Sequence, residues 1–136
     1  MNNEIIVTRL DYTRLNSMIL NLLDDRKSDI RELNFLNIEI KNAKIIEPKK
    51  VSPDYVTMNS VIEVRFSDTA EAKSLRLVYP KEANINAGNI SVLSPLGCAL
   101  LGNKTSQTIS FKAPSGLKTV TIDKIIYQPE ANGEDL

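Results

Sequence analysis

The spacing of apolar residues along this chain changes once, between Pro48 and Asp54. Before this point apolar residues recur every three or four positions, and after it they recur every second position. Spacings of three and four place side chains on one face of a helix, whereas alternation places them on one face of a strand. The sequence therefore predicts a helical first third and a β-rich remainder, which is an α+β fold.

The first third is predicted to form two amphipathic helices. Asp11 is the predicted N-cap of the first helix, and Pro48 ends the second. A polar link at 24–28 separates them, and Ser28 or Asp29 caps the second helix. Such a pair forms an antiparallel helical hairpin, here a short coiled coil. The apolar positions are Leu15, Met18, Ile19, Leu22 and Leu23 in the first helix and Leu33, Leu36, Ile40 and Ala43 in the second.

The remainder of the chain is predicted to form an antiparallel sheet with one short packed helix. Ser94 suits the N-cap of that helix, Pro95 its first position and Gly102 the left-handed residue after its end. The alternation of apolar residues along the last predicted strand changes phase between Ile122 and Ile125, which predicts a β-bulge. We expect two parts, a hairpin over 1–48 and a globular domain over 49–136. The predicted strands are 57–66, 73–79, 90–93, 107–113 and 118–127.

Composition excludes several classes of function. Lys and Arg number 17 and Asp and Glu number 17, so bulk charge does not favour nucleic-acid binding. Histidine is absent, which excludes Ser-His, Cys-His and histidine–metal chemistry. The single cysteine, Cys98, is expected to be a buried or half-buried packing residue of a protein in the reducing cytoplasm. We expect no membrane span, no cofactor and no metal site.

Five short motifs occur in order along the chain. They are Val-Thr-Met-Asn-Ser at 56–60, Leu-Val-Tyr-Pro at 77–80, Ser-Val-Leu-Ser-Pro-Leu-Gly at 91–97, Ala-Leu-Leu-Gly at 99–102 and Tyr-Gln-Pro-Glu-Ala at 127–131. Together they closely resemble the Rnk family, the bacterial regulators of nucleoside diphosphate kinase, which are relatives of the transcript-cleavage factors GreA and GreB. The resemblance implies a C-terminal domain with an FKBP-like fold and an N-terminal antiparallel coiled coil.

The resemblance also implies a partner, the core of RNA polymerase. Gre-like proteins dock at the rim of the polymerase secondary channel, and acidic residues at the tip of their coiled coil help to hold a catalytic magnesium ion. Here Asp24 and Asp25 lie at the predicted tip, but the hairpin is much shorter. The resemblance therefore implies a non-enzymatic regulator that binds polymerase without cleaving the transcript and without sequence-specific nucleic-acid contacts.

Two other functions remain open as alternatives. The family name suggests control of the level or activity of nucleoside diphosphate kinase through another partner. A prolyl isomerase is disfavoured because the chain has few aromatic residues and no tryptophan. A cleavage factor would depend on Asp24 and Asp25. The sequence does not predict the oligomeric state.

The candidate partner-binding residues each have a structural alternative. Paired acids at a helical turn often serve only to keep it solvated. Asn and Ser at a strand start often satisfy backbone groups. Ser106 and Gln107 stand where relatives have a Gly-Asp turn, which puts that turn's geometry in question. The candidates are Asp24, Asp25, Met58, Asn59, Ser60, Ser94, Pro95, Tyr127 and Gln128.

Overall fold

The computed structural model describes residues 5–25 and 30–134. Three helices and seven strands are assigned within these ranges. The helices are α1 (Arg9–Asp25), α2 (Ile30–Lys41) and α3 (Pro95–Leu100). The strands are β1 (Ile6–Thr8), β2 (Lys44–Ile46), β3 (Val61–Phe66), β4 (Ala72–Val78), β5 (Asn89–Ser91), β6 (Thr108–Ala113) and β7 (Gly116–Tyr127).

Helix α1 begins earlier than predicted. The Thr8 hydroxyl oxygen accepts a hydrogen bond from the backbone N–H of Asp11 at 3.1 Å, which is the contact an N-cap makes. Asp11 therefore lies in the first turn of the helix, and its prediction as the N-cap was wrong. The predicted caps of the second helix, Ser28 and Asp29, lie outside the described residues.

The second helix ends at Lys41, before Pro48, so the prediction that Pro48 terminates it was wrong. The chain turns out of the helix and forms β2, which pairs with β1 in parallel. The backbone N–H of Lys44 donates to the Ile5 carbonyl at 2.9 Å, next to this pairing. Pro48 instead opens one turn of 3₁₀ helix.

The larger sheet has the strand order β5-β4-β3-β7-β6. Three of its four pairings are antiparallel, as predicted, but β4 and β5 are parallel. Two turns of 3₁₀ helix, Pro80–Glu82 and Ile85–Ala87, carry the chain back so that β5 runs in the direction of β4. The prediction of a wholly antiparallel sheet is corrected at this edge.

The predicted bulge is confirmed in β7. Val64 lies opposite Ile122 while Glu63 lies opposite Lys124, so Asp123 is an extra residue between them. A second register shift follows between Val61 and Ile62. Bulges increase the local twist, and this one returns Ile125 to the buried face of the sheet.

The short helix forms as predicted. The Ser94 hydroxyl oxygen accepts from the backbone N–H of Gly97 at 3.0 Å, and Pro95 occupies the first position. Gly102 has φ 79°, a left-handed conformation that glycine adopts without steric cost.

A single hydrophobic core joins the helices to the sheet. Leu36 and Ile40 of α2 are fully buried, and Leu15 of α1 is buried with them. They form one cluster with the sheet residues Ile62 and Val64. Burying a side chain of this kind contributes about 1.5–3 kcal/mol. The hairpin therefore packs on the sheet, and the division at residue 48 stays a prediction.

Candidate partner-binding sites

The Val-Thr-Met-Asn-Ser motif forms a turn that enters β3. The Ser60 hydroxyl oxygen accepts from the backbone N–H of Thr57 at 3.0 Å, and the Ser60 N–H donates to the Thr57 carbonyl at 3.1 Å. The turn also pairs with the end of β4, because the Asn59 N–H donates to the Leu77 carbonyl and the Leu77 N–H donates to the Ser60 carbonyl. Asn59 has φ 67°, a conformation that asparagine tolerates better than most residues.

The docking surface expected at Met58, Asn59 and Ser60 stays a prediction, and the structure buries all three side chains. Their exposed fractions are 1 %, 6 % and 0 %. A partner cannot contact these side chains in this conformation. The hydrogen bonds favour the structural alternative, in which Asn59 and Ser60 satisfy backbone groups at a strand start.

The turn is also the junction between the hairpin and the sheet. Asp11 of α1 accepts a hydrogen bond from the backbone N–H of Met58 at 3.0 Å. On the other side, the Thr57 hydroxyl donates to the Glu130 carboxylate at 2.7 Å. The carboxylates of Asp11 and Glu130 thus accept hydrogen bonds from two adjacent residues of the turn.

Asp11 is a buried carboxyl group with an altered acidity. Burial, with a smaller contribution from the negative charge of Glu130, raises its pKa from 3.8 to about 7. The hydrogen bond from Met58 and the positive charge of Arg14 oppose this effect without cancelling it. Near neutral pH Asp11 is therefore poised between its protonated and its charged form.

Ser94 and Pro95 belong to the start of α3. The Ser94 hydroxyl donates to the Ser91 carbonyl at 2.7 Å while it caps the helix, so both of its hydrogen-bonding roles are internal. Pro95 is exposed beside it. Of these two candidates, Pro95 has the freer surface for a partner.

Tyr127 and Gln128 lie at the end of β7 with different environments. The Tyr127 hydroxyl donates to the Glu134 carboxylate, which raises the pKa of Tyr127, and the Arg76 guanidinium lies 5.9 Å from the centre of its ring. Gln128 is only 2 % exposed, and its side-chain amide donates to the carbonyls of Ser52 and Tyr55 at 2.9 and 2.8 Å. Gln128 therefore ties the linker to the end of the sheet, and Tyr127 alone keeps an accessible face.

Asp24 and Asp25 lie in the last turn of α1, at the opposite end of the helix from Asp11. The link that follows them, residues 26–29, is outside the described residues, as are the side chains of both aspartates. Their proposed contact with a partner stays a prediction.

Cys98 is half-buried in α3, as predicted. Burial raises the pKa of its thiol to about 12, and the negative charges of Glu39 and Glu32 add to the effect. The thiolate is the nucleophilic form of cysteine, so this residue is chemically inert at neutral pH.

Within residues 5–25 and 30–134, no cluster of three or more Asp, Glu, Cys or His side chains is placed to hold a metal ion. In the same ranges no helix combines the length and the apolar character needed to cross a membrane.

The sequence did not predict the roles of Asp11, Thr57 and Glu130 at the junction. Asp11 was assigned to helix capping, where acidic residues are common. A signal was present, because an acidic residue on the apolar side of an amphipathic helix needs a buried partner.

Comparison with known proteins places the chain in a family. The family model for the C-terminal region of transcription elongation factors GreA and GreB matches residues 50–127. The regulator of nucleoside diphosphate kinase of Escherichia coli strain K12 is 32 % identical over 133 residues, which cover 97 % of this chain and 96 % of that protein. Transcription elongation factor GreA of Thermodesulfovibrio yellowstonii is 35 % identical over 93 residues, 68 % of this chain but only 59 % of GreA.

A solved structure agrees with these sequence matches. A prokaryotic transcription elongation factor GreA/GreB from Nitrosomonas europaea superimposes with a TM-score of 0.74 at 32 % identity, covering 91 % of this chain and 100 % of that one. Similarity of fold and of sequence thus extends through the hairpin as well as the sheet. The chain belongs to the GreA/GreB family of transcription elongation factors, and it is similar over nearly its whole length to the regulators of nucleoside diphosphate kinase.

Proposed function

We propose that this chain is a transcription regulator that binds bacterial RNA polymerase near the secondary channel and does not cleave the transcript. The observation that carries the proposal is the pairing of a GreA/GreB domain with a hairpin that is shared, almost end to end, with the regulator of nucleoside diphosphate kinase. Binding to polymerase would take place in the cytoplasm and would need no cofactor.

The length of the hairpin supports binding without cleavage. Helix α1 has 17 residues and α2 has 12, so at 1.5 Å per residue the arms span about 26 and 18 Å. We propose that the hairpin acts as a short coiled coil that presents Asp24 and Asp25 at the channel while falling short of the active centre. The sheet with α3 would serve as the FKBP-like docking domain.

The proposed contact surface combines the tip of the hairpin with the candidates that are exposed on the docking domain. Asp24 and Asp25 form its tip, and Pro95 and the open face of Tyr127 lie on the docking domain. The buried candidates Met58, Asn59, Ser60 and Gln128, together with the half-buried Ser94, would shape this surface from beneath.

Competition for core polymerase tests the binding proposal. We expect the labelled chain to bind core polymerase and GreB to displace it. The variant Asp24→Asn with Asp25→Asn should weaken binding several-fold. Asp68→Asn, which changes an exposed carboxylate on the β3–β4 turn, is the matched control and should leave binding unchanged. No binding at low salt and micromolar protein would contradict the proposal.

A stalled elongation complex tests the absence of cleavage. We expect no shortening of the RNA when the chain is added, whereas GreB shortens it. If the chain does cleave and Asp24→Ala with Asp25→Ala abolishes the activity, the chain is a cleavage factor and this part of the proposal fails.

Direct regulation of nucleoside diphosphate kinase is a second candidate, favoured by the near full-length similarity to a protein of that name. The rate of phosphoryl transfer by the purified kinase, measured with and without the chain, distinguishes direct regulation from action through transcription. A change in the kinase rate would support direct regulation. An unchanged rate together with altered kinase transcript levels after deletion would support action through transcription.

A further inference from the structure

Asn132 and Gly133 form the one Asn-Gly pair in the sequence. This pair is prone to deamidation, because glycine has no Cβ atom to hinder the backbone nitrogen that attacks the asparagine amide. In the reaction the Gly133 nitrogen bonds to Cγ of Asn132, the Cγ–Nδ2 bond breaks, and Nδ2 leaves as ammonia with the proton of the Gly133 N–H. One water molecule then opens the succinimide at either carbonyl, which gives aspartate or isoaspartate.

The Asn-Gly pair lies on an open part of the surface. Asn132 ends the 3₁₀ turn Glu130–Asn132, and Gly133 follows it with φ 70°. Residues 131–134 are all exposed, and a Cβ atom built on Gly133 would have no atom of a non-neighbouring residue within 4 Å. Water and the solvent bases that the reaction needs therefore have access to this peptide bond.

The folded turn holds both reacting groups in other hydrogen bonds. The Gly133 N–H, whose nitrogen is the nucleophile, donates to the Glu130 carbonyl at 3.1 Å. The Asn132 side-chain amide, whose nitrogen is the leaving group, donates to the Gln128 carbonyl at 3.0 Å. Because both bonds must break before the nucleophile can approach Cγ, the reaction requires the turn to open.

The next residue along the chain helps to keep the turn closed. The Glu134 N–H donates to the Pro129 carbonyl at 2.9 Å, and the Glu134 carboxylate accepts the Tyr127 hydroxyl. Tyr127 belongs to β7, so this contact ties the end of the turn to the sheet. The contact is exposed to solvent, and segments held by exposed hydrogen bonds open at a small cost in free energy.

We propose that Asn132 is a site of spontaneous deamidation, that opening of the turn at 130–132 controls its rate, and that the products leave this turn open. The Tyr127–Glu134 contact slows the reaction by holding the turn closed. The inference is independent of the function proposed above.

The chemistry of the products explains why the turn stays open after the reaction. Aspartate and isoaspartate both lack the Nδ2 donor that bonds to Gln128 in the folded turn. Each adds a negative charge two residues from Glu130 and two from Glu134, where like charges repel. Isoaspartate also lengthens the backbone by one methylene group, which changes the ring that the Gly133 N–H closes with the Glu130 carbonyl.

Peptide mapping of the full chain during incubation at mildly alkaline pH measures the reaction. The folded chain should convert Asn132 about 5- to 150-fold more slowly than the chain unfolded in guanidinium chloride, the factor expected from two net hydrogen bonds. Hydrogen exchange of the Gly133 amide should give the same factor, because the same opening frees this group. A folded chain that reacts as fast as the unfolded one overturns the control by the turn. If Asn132 stays intact beyond the time that the exchange factor sets, the site itself is overturned.

Tyr127→Phe tests the contact that closes the turn. It removes the hydroxyl that Glu134 accepts and keeps the ring that faces Arg76. The folded variant should deamidate about two- to tenfold faster than the wild-type chain, as expected for one lost hydrogen bond. In guanidinium chloride the two chains should react equally, which is the matched control. Asn59, which precedes a serine and is 6 % exposed, should stay intact in both folded chains. Equal rates for the two folded chains overturn the role of Glu134.

Two variants of Asn132 test the effect of the products. Asn132→Asp and Asn132→Ala both lose the Nδ2 donor, but only aspartate adds a charge. Hydrogen exchange at the Gly133 and Glu134 amides should be faster in both variants than in the wild-type chain, and fastest in Asn132→Asp. If Asn132→Asp exchanges like the wild-type chain, the product leaves the turn closed and this part of the proposal is overturned. Faster exchange in Asn132→Ala than in Asn132→Asp would contradict the role of the charge.

Discussion

Besides Asn59, two described residues hold the backbone in a left-handed conformation that costs free energy. Ala70 has φ 56° in the β3–β4 turn, and Ser106 has φ 75° at the bulge before β6. Left-handed backbone costs a non-glycine residue roughly 1–2 kcal/mol. Ser106 therefore adds to the energy of this turn, in which the side-chain oxygen of Gln107 accepts the Lys104 N–H at 2.6 Å.

Ser106→Gly is expected to stabilise the chain. Relief of the left-handed strain exceeds the extra conformational entropy that glycine gains in the unfolded chain, so the free energy of unfolding should rise by about 0.5 kcal/mol. Urea denaturation measures the change. Ser74→Gly in β4, where φ is not positive, is the control and should destabilise by about 0.5–1 kcal/mol. Equal effects at the two serines would contradict the prediction.

Asp11 gives the chain an unusual dependence of stability on pH. Its pKa is raised from 3.8 to about 7 on folding, because burial disfavours the charged form. Its contribution to stability is fully present below the unfolded value and is lost as pH rises through the folded value. Between about pH 4 and pH 7 this group therefore makes the fold less stable as pH increases.

Asp11→Asn should remove this component, because asparagine can still accept the Met58 N–H but does not titrate. We expect the difference in unfolding free energy between the two proteins to favour the variant increasingly as pH rises from 4 to 7. Denaturation at a series of pH values measures it. Asp54→Asn, at an exposed position in the linker, is the control for general charge effects. A difference that does not vary with pH would show that Asp11 does not titrate in this range.

At the scale of elements, the features that depend only on neighbouring residues of the sequence were predictable. Helix α3 has its N-cap, its proline and its terminal glycine within nine consecutive residues, and all three have the predicted roles. Strands β1 and β2 are three residues long and were not predicted, because each exists only where the other lies beside it. Strand β5 was predicted at 90–93 and forms at Asn89–Ser91, beside β4. A three-residue segment has too little periodicity to indicate a strand by itself.

Gly97 shows how closely α3 packs against β5. A Cβ atom at this position would lie 2.0 Å from the Ser91 carbonyl oxygen, which is backbone and cannot rotate away. Alanine is the better helix former by about 1 kcal/mol, yet we expect Gly97→Ala to destabilise by about 3 kcal/mol. Thermal denaturation measures this. Cys98→Ala, one residue along the same helix, should cost clearly less, and the opposite order would mean that the helix can move freely away from β5.

At the scale of the whole molecule, the hairpin and the sheet share their core. Leu36 of α2 and Val64 of β3 are both fully buried and belong to one cluster. The Asp11–Met58 hydrogen bond adds a polar link at the same junction. The hairpin before residue 48 and the sheet after it are therefore joined by one continuous core.

We expect the described parts of the chain to unfold in one transition. Leu36→Ala and Val64→Ala should each lower stability by about 2–4 kcal/mol and should shift the transition equally for hairpin and sheet. Amide hydrogen exchange, followed residue by residue, distinguishes the two parts. A Leu36→Ala protein whose hairpin exchanges while the sheet stays protected would support independent domains over 1–48 and 49–136.

For the candidate site, as for the fold, features within one segment were predictable from the sequence and contacts between distant segments were not. The motif at 56–60 was recognisable from its residues, but its burial was not, because Asp11, Leu77 and Glu130 cover or bond it from distant positions. Tyr127 and Gln128 are neighbours in the sequence, yet one keeps an open face and the other is buried under the linker.

The sequence by itself determined the two helices, the four longer strands, the capped helix and the bulge, since each depends on residues within one segment. Only the tertiary structure decided the parallel pairings, the burial of the 56–60 turn and the acidity of Asp11. These depend on which distant segments meet, because burial by distant residues sets the free energy of a carboxylate and of a polar turn.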